Sequence, residues 1–184
     1  MDENWEKSIV IIGVSNRLHI INILGSETKY TDLVEKYAKE IAKKYENVII
    51  TPDDGIYTDI AEKWQEITNK KATAYYPDKD TYYGIEHIKH NFSKYATKGI
   101  GGDWYKLNAE LTKQAKTVLC LGITPGVLIE LAYIKYHQKY GGHKNPKYKE
   151  ITLIIDERLI EQRLPKTVEK EINNIKYINN VEKI

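Results

Sequence analysis

A short apolar run, Val118-Leu119-Cys120-Leu121-Gly122, leads directly into Ile123-Thr124-Pro125-Gly126 and then into a second apolar stretch holding one carboxylate, Glu130. Each residue type in this order has a chemical use. Thr124 can cap a helix with its hydroxyl, Pro125 stands where the first turn needs no amide, and Gly126 lets a ligand approach backbone N–H groups. A helix start of this kind attracts anions, phosphate above all. The same residues also suit an ordinary strand–turn–helix connection, so both readings stand. Glu130 lies one turn further on, in Gly126-Val127-Leu128-Ile129-Glu130-Leu131-Ala132-Tyr133. A carboxylate with such neighbours is either half of a structural ion pair or a functional group facing a cleft.

In open parallel sheets, ligands bind beyond the carboxyl ends of the strands. That rule adds three turns that follow apolar runs: Ser15-Asn16-Arg17, Pro52-Asp53-Asp54-Gly55 and Pro77-Asp78-Lys79-Asp80. The candidate ligand contacts are Ser15, Asn16, Asp53, Asp54, Gly55, Asn108, Thr124, Pro125, Gly126 and Val127. Two adjacent carboxylates would repel a phosphate placed near them, at a cost that rises as water is excluded. The 52–55 turn therefore suits hydroxyls, amines or a cation, or simply turns the chain. His87 and His90 share a helical face, but no third ligand is spaced to complete a metal site, so no metal is expected and a solvated face is the commoner outcome. Gly101-Gly102-Asp103-Trp104-Tyr105 offers a hinge, a cap and two rings able to stack on a base, although core packing is the commoner fate of a tryptophan.

These turns need strands to present them. Five apolar runs, at 9–14, 48–51, 72–76, 118–122 and 151–155, are continuous rather than alternating, which suits strands covered on both faces. A short last strand at 176–178 completes the set. Between them lie helical patterns at 30–45, 56–69, 84–96, 103–115 and 126–140, the last closed by Gly141-Gly142 in the place of a C-cap. Leu164-Pro165-Lys166 can start a further helix. Such alternation predicts an α/β fold with right-handed crossovers and a mainly parallel sheet between helical layers.

A chain of 184 residues with 41% hydrophobic and 29% charged residues fits one domain with a buried sheet, spanning 1–184. The 28 basic and 26 acidic residues are spread along the chain, so no field implies nucleic acid as a partner. No apolar stretch reaches the ~18 residues of a membrane span, and the acidic start is unlike a signal peptide. The lone Cys120 fits a reducing compartment, and a cytoplasmic protein is expected.

The order of elements, and above all Gly126-Val127-Leu128-Ile129-Glu130-Leu131-Ala132 after an apolar strand, resembles the LOG-like (lysine-decarboxylase-like) Rossmann proteins. Ala109-Glu110-Leu111-Thr112-Lys113-Gln114-Ala115 is similar to the family's helix before that strand. The resemblance implies a Rossmann-like three-layer sandwich, no cofactor, and commonly a homodimer. In family members that are phosphoribohydrolases, glycine-rich turns hold the phosphate of a nucleoside 5′-monophosphate while a glutamate and an arginine act at the glycosidic bond. Glu130 falls on the second glutamate of the family signature and Ile129 on the first. Leu107 stands where the arginine would be, with Lys106 beside it, and Val127 replaces the signature threonine.

The resemblance thus implies Glu130 and Lys106 as catalytic residues and a small nucleotide or ribosyl compound as ligand. Three functions follow from it: an N-glycosidic hydrolase, a noncatalytic sensor or carrier of a nucleotide-derived ligand, and a nucleoside deoxyribosyltransferase-like enzyme.

Overall fold

A computed structural model describes residues 3–184. Seven strands form one sheet in the order β4-β3-β2-β1-β5-β6-β7, with every neighbouring pair parallel. They are β1 (Ser8–Gly13), β2 (Asn47–Ile50), β3 (Thr73–Tyr76), β4 (Ala96–Gly99), β5 (Thr117–Leu121), β6 (Thr152–Asp156) and β7 (Ile175–Ile178). The helices are α1 (Glu3–Glu6), α2 (Arg17–Leu24), α3 (Glu27–Lys44), α4 (Ile56–Thr68), α5 (Trp104–Leu111), α6 (Pro125–Tyr136), α7 (Gly142–Lys144) and α8 (Lys166–Glu169).

The apolar runs are continuous because both faces of the sheet are covered. Ile9, Ile11, Val48 and Ile50 pack under α2, α3 and α4, while Val10, Ile12, Ile49, Val118 and Cys120 pack under α5 and α6. Helix α3 shows how the chain builds such a layer. Leu33, Val34, Tyr37, Ala38 and Ile41 recur at helical spacing and are buried. Ser26 caps its start by accepting from the Lys29 N–H at 3.2 Å, and Lys43 and Lys44 meet the negative end of its dipole.

The strand order places the functional crevice. From β1 the chain runs outward to β4, returns to the centre at β5 and runs outward the other way to β7. Connections therefore leave β1 and β5 on opposite faces, and the crevice opens at their carboxyl ends. The two strands meet closely there: a Cβ on Gly13 would lie 2.6 Å from the Leu121 carbonyl oxygen. The neighbouring carboxyl end of β6 is filled by the protein itself. The buried Asp156 carboxylate accepts from the Tyr37 hydroxyl at 2.5 Å and from Arg158 Nε and Nη2 at 2.9 and 2.6 Å.

Four elements differ from the sequence expectation. Strand β4 carries no apolar run, because as an edge strand its Ala96-Thr97-Lys98-Gly99 needs little burial. The helical pattern at 84–96 forms a 3-10 segment, Glu86–Lys94, that ends against this strand. Asn16 starts α2, a helix that short polar turn residues concealed. Gly141 and Gly142 do not cap α6. Both are right-handed, with φ of −65° and −63°, and the helical path continues through a π turn, His137–Gly141, into α7. No helix among the described residues is long and apolar enough to cross a membrane.

Candidate functional site

The crevice beyond β1 and β5 is a cleft of about 230 Å³. Its floor is Ile11, Ile12 and Gly13 of β1, and one wall is Ser15, Thr51, Asp53 and Tyr57. Trp104, Asn108 and Leu111 of α5 form the second wall, and Thr124, Gly126, Val127 and Glu130 close the third side. The spacing 104, 108, 111 is one face of a helix, which explains how Asn108 reaches the cleft; Leu107, at the edge of that face, is fully buried and does not line it.

At the start of α6, Thr124 is the N-cap. Its Oγ1 accepts from the Val127 N–H at 3.2 Å, and its carbonyl accepts from the Leu128 N–H at 2.9 Å. Pro125 has no N–H to offer. The Gly126 amide is thus the first-turn donor left open at the cleft, and an added Cβ there would meet only Thr124 Oγ1 at 3.8 Å. The glycine is not demanded by packing. Gly126→Ala is expected to fold with unchanged or slightly higher stability, as Gly-to-Ala changes in helices do. The same methyl group narrows access to the amide, so the variant should bind a phosphorylated ligand more weakly. Melting temperature and calorimetric titration with AMP check both halves, and AMP affinity equal to wild type counts against an anion at this amide.

Glu130 lies one turn deeper, only 9% exposed, and among the described residues no hydrogen bond or cation meets its carboxyl group. Burial alone pushes its pKa up to about 8, so the neutral acid predominates at pH 7. Tyr57, also buried, has its hydroxyl pKa raised by burial first and then by Asp53 and Glu130. The cleft therefore has two carboxyl groups, a phenol and several hydroxyl or amide groups, and no Lys or Arg among its lining residues.

The missing cations are engaged elsewhere. Arg17 donates to Asp59 through Nε and Nη2 at 2.6 and 2.5 Å, and Tyr30 donates to the same carboxylate. Lys106 is exposed, and its Nζ reaches the Gly101 carbonyl at 3.3 Å rather than lining the cleft. Asn16 caps α2 through the Leu18 N–H at 3.0 Å. Asp54 turns toward Asn91 and His90. Burial raises its pKa, but hydrogen bonding from Asn91 and the charges of His90 and Arg17 hold it below the usual value. Gly55, at φ 149°, approaches the Val14 carbonyl so closely that a Cβ would be 2.6 Å away, and it serves the turn rather than the cleft wall.

Of the residues singled out from sequence, Ser15, Asp53, Asn108, Thr124, Gly126, Val127 and Glu130 line one cleft, whereas Lys106, Asn16, Asp54, Gly55 and Pro125 do not. Thr51 and Tyr57 escaped notice. Thr51 ends an apolar run, and Tyr57 follows the turn by less than one helical turn, so position after a strand was the available signal. Trp104 is a cleft wall rather than a core residue, held by its Nε1–H on the Gly84 carbonyl at 3.0 Å and by a stacked His87 ring at 5.6 Å. His87 and His90 belong to no metal cluster: among the described residues no group of three or more His, Cys, Asp or Glu could hold an ion.

Solved structures share the whole architecture. The structural-genomics protein TM1055 superimposes with a TM-score of 0.64 at 16% identity, covering 96% of this chain and 94% of that one. The fold is Rossmann-like. The molybdenum cofactor carrier protein of Chlamydomonas reinhardtii matches this Rossmann-like chain with a TM-score of 0.59 at 12% identity over 96% and 91% of the two chains. DNA processing protein A from Helicobacter pylori, described by its single-stranded DNA binding mode, matches at 0.57 with 14% identity over 98% and 79%. No protein-family model and no curated protein matches the sequence.

Proposed function

We propose that the chain is a LOG-like protein that binds and retains a nucleotide or related ribosyl compound in the β1–β5 cleft. The observation that carries this reading is Glu130, a largely buried carboxyl group that has no partner among the described residues and faces a cleft bounded by an open helix amide on one side and an indole on the other. A buried polar group without a partner costs stability, and a ligand that hydrogen-bonds to it removes that cost.

Size and charge narrow the ligand. About 230 Å³ is below the roughly 300–1,000 Å³ usual for drug-sized pockets, so the cleft takes the ribosyl part and the base extends along Trp104. Ribosyl hydroxyls suit Asp53, Ser15 and Asn108, and the phosphate suits the Gly126 amide at the positive end of α6. A single amide without Lys or Arg is a weak phosphate anchor, which favours holding a ligand over driving its cleavage. A structural neighbour named as a cofactor carrier is in keeping with this.

Hydrolysis is the second reading, and the neutral state of Glu130 favours a defined form of it. The acid would donate its proton to the departing base as the C1′–N bond breaks, and water would add to C1′ while giving its proton back to the Glu130 carboxylate. Incubation with a panel of nucleoside monophosphates and deoxynucleosides, followed by chromatography and melting measurements, separates the outcomes. Thermal stabilisation with intact nucleotide supports retention. Free base with ribose phosphate supports hydrolysis, and base exchange a deoxyribosyltransferase. No stabilisation and no product from any member of the panel would sink the proposal.

A further inference from the structure

A second buried acid shares the cleft with Glu130. Tyr57 lies in the first turn of α4, only 6% exposed, with its ring set against the preceding turn: a Cβ on Gly55 would come within 3.0 Å of Tyr57 Cε1. Its ring belongs to the core on the α3–α4 face of the sheet. Glu130 comes to the same cleft from the other face, on α6 beside the buried Val127, Leu131 and Ile134. Among the described residues neither the Tyr57 hydroxyl nor the Glu130 carboxyl group has a hydrogen-bond partner in the protein. Neither is sealed off, because the enclosed side-chain polar atoms without a partner among those residues are Trp64 Nε1 and Thr112 Oγ1. Both acids therefore open onto the cleft.

Both are also un-ionised near pH 7. Burial raises the Tyr57 hydroxyl, and the nearby Asp53 and Glu130 raise it further, while burial alone brings Glu130 to about 8. Each then offers an O–H with no acceptor of its own. A phenol paired with a neutral carboxylic acid is suited to hold an oxygen bearing negative charge, since O–H···O⁻ bonds are short and strong. The other walls define what carries that oxygen. Ile11, Ile12, Leu111 and Val127 are apolar, and Trp104 supplies a flat ring. Asp53 also borders the cleft, and no Lys or Arg is among the described lining residues, so a compact, multiply charged anion is disfavoured beside the pair. One charge spread over a ring suits it, and about 230 Å³ suits a single ring system.

We infer that Tyr57 and Glu130 form a two-donor site for a singly charged oxygen on a flat ring, a phenolate or a cyclic enolate, and that the cleft binds ring acids of this class in addition to the nucleotide proposed above. The pair needs the cleft but not the nucleotide, so the two ligand classes stand or fall separately.

The probe is para-nitrophenol, titrated into the full chain below the pH at which the free phenol ionises and followed by absorbance, which tells bound phenolate from bound phenol. Saturable binding as the anion is expected. The weaker acid para-cresol, of similar size, should bind about ten-fold less tightly, as a neutral oxygen gains less from the same donors. Tyr57→Phe should raise Kd for para-nitrophenol about ten-fold and reduce the anionic share of the bound probe, the ordinary loss for one charge-assisted contact. That hydroxyl has no partner in the described protein, so the variant should fold; if it does not, the comparison of the two phenols on the wild type decides alone. No saturable binding, binding of para-nitrophenol in its neutral form, equal affinity for the two phenols, or a Tyr57→Phe variant that matches wild type would each overturn the pair. AMP titrated into the same protein keeps the readings apart. Bound nitrophenolate without AMP binding supports the pair and removes the nucleotide, and AMP binding without nitrophenolate does the reverse.

Discussion

Glu130→Gln is expected to make the protein more stable at pH 7 by about 3 kcal/mol, with a gain that vanishes toward pH 4.5. The sign follows from the raised pKa. Native Glu130 keeps its proton up to about pH 8, while the unfolded chain releases it near the ordinary glutamate value of 4.5. Wild-type stability from this group is therefore complete below pH 4.5 and falls steadily as pH rises to 8, by about 1.4 kcal/mol for each unit. Glutamine has the same size and no charge to release, so the variant escapes the loss. For a chain of this length the gain at pH 7 corresponds to roughly 6–12 °C in melting temperature.

The same substitution separates binding from turnover. An amide still donates a hydrogen bond, so ligand affinity should survive below pH 8, and the wild type alone should lose affinity as pH rises through 8 and its acid ionises. Any release of base should disappear in the variant, because an amide N–H is far too weak an acid to give up its proton. A residue in a cleft that lowers the stability of the free protein is the pattern expected of a functional group. Parallel stability curves for the two proteins between pH 5 and 8 would show that Glu130 is not buried as described.

Arg158→Ala is expected to cost about 2–3 kcal/mol, read as a lower urea midpoint with an unchanged slope. Asp156 is fully buried, and the paired contacts from Arg158 give it its only cation among the described residues. The Tyr37 hydroxyl and the Arg158 N–H, at 2.5 and 3.0 Å, remain in the variant, and the arginine side chain is 35% exposed, so the loss is smaller than for a sealed pair. Tyr37→Phe should cost less, about 1.5 kcal/mol, because the guanidinium still neutralises the carboxylate. Equal stability of Arg158→Ala and wild type would mean that Asp156 reaches water.

The central strands were legible because burial on both faces writes itself as unbroken Ile, Val and Leu, as in 9–12 and 118–121. Strand β4 was not, since an edge strand draws its support from the β3 backbone and needs no apolar signature. The cleft was legible where residues immediately follow a strand, as Ser15, Asp53 and Thr124 do. Tyr57 and Trp104 depend on which way a helix faces, and that is set by packing of α4 and α5 on the sheet. The position of Lys106 illustrates the same limit: two residues before Asn108 on α5, it points about half a turn away from the cleft.

A crystal of this protein soaked with AMP tests the main claim most directly. The account predicts phosphate oxygens on the Gly126 amide, ribosyl hydroxyls between Asp53 and Asn108 over the Glu130 carboxyl group, and the base against Trp104. Density for the nucleotide at any other surface, with this cleft closed by the protein's own side chains, would contradict it.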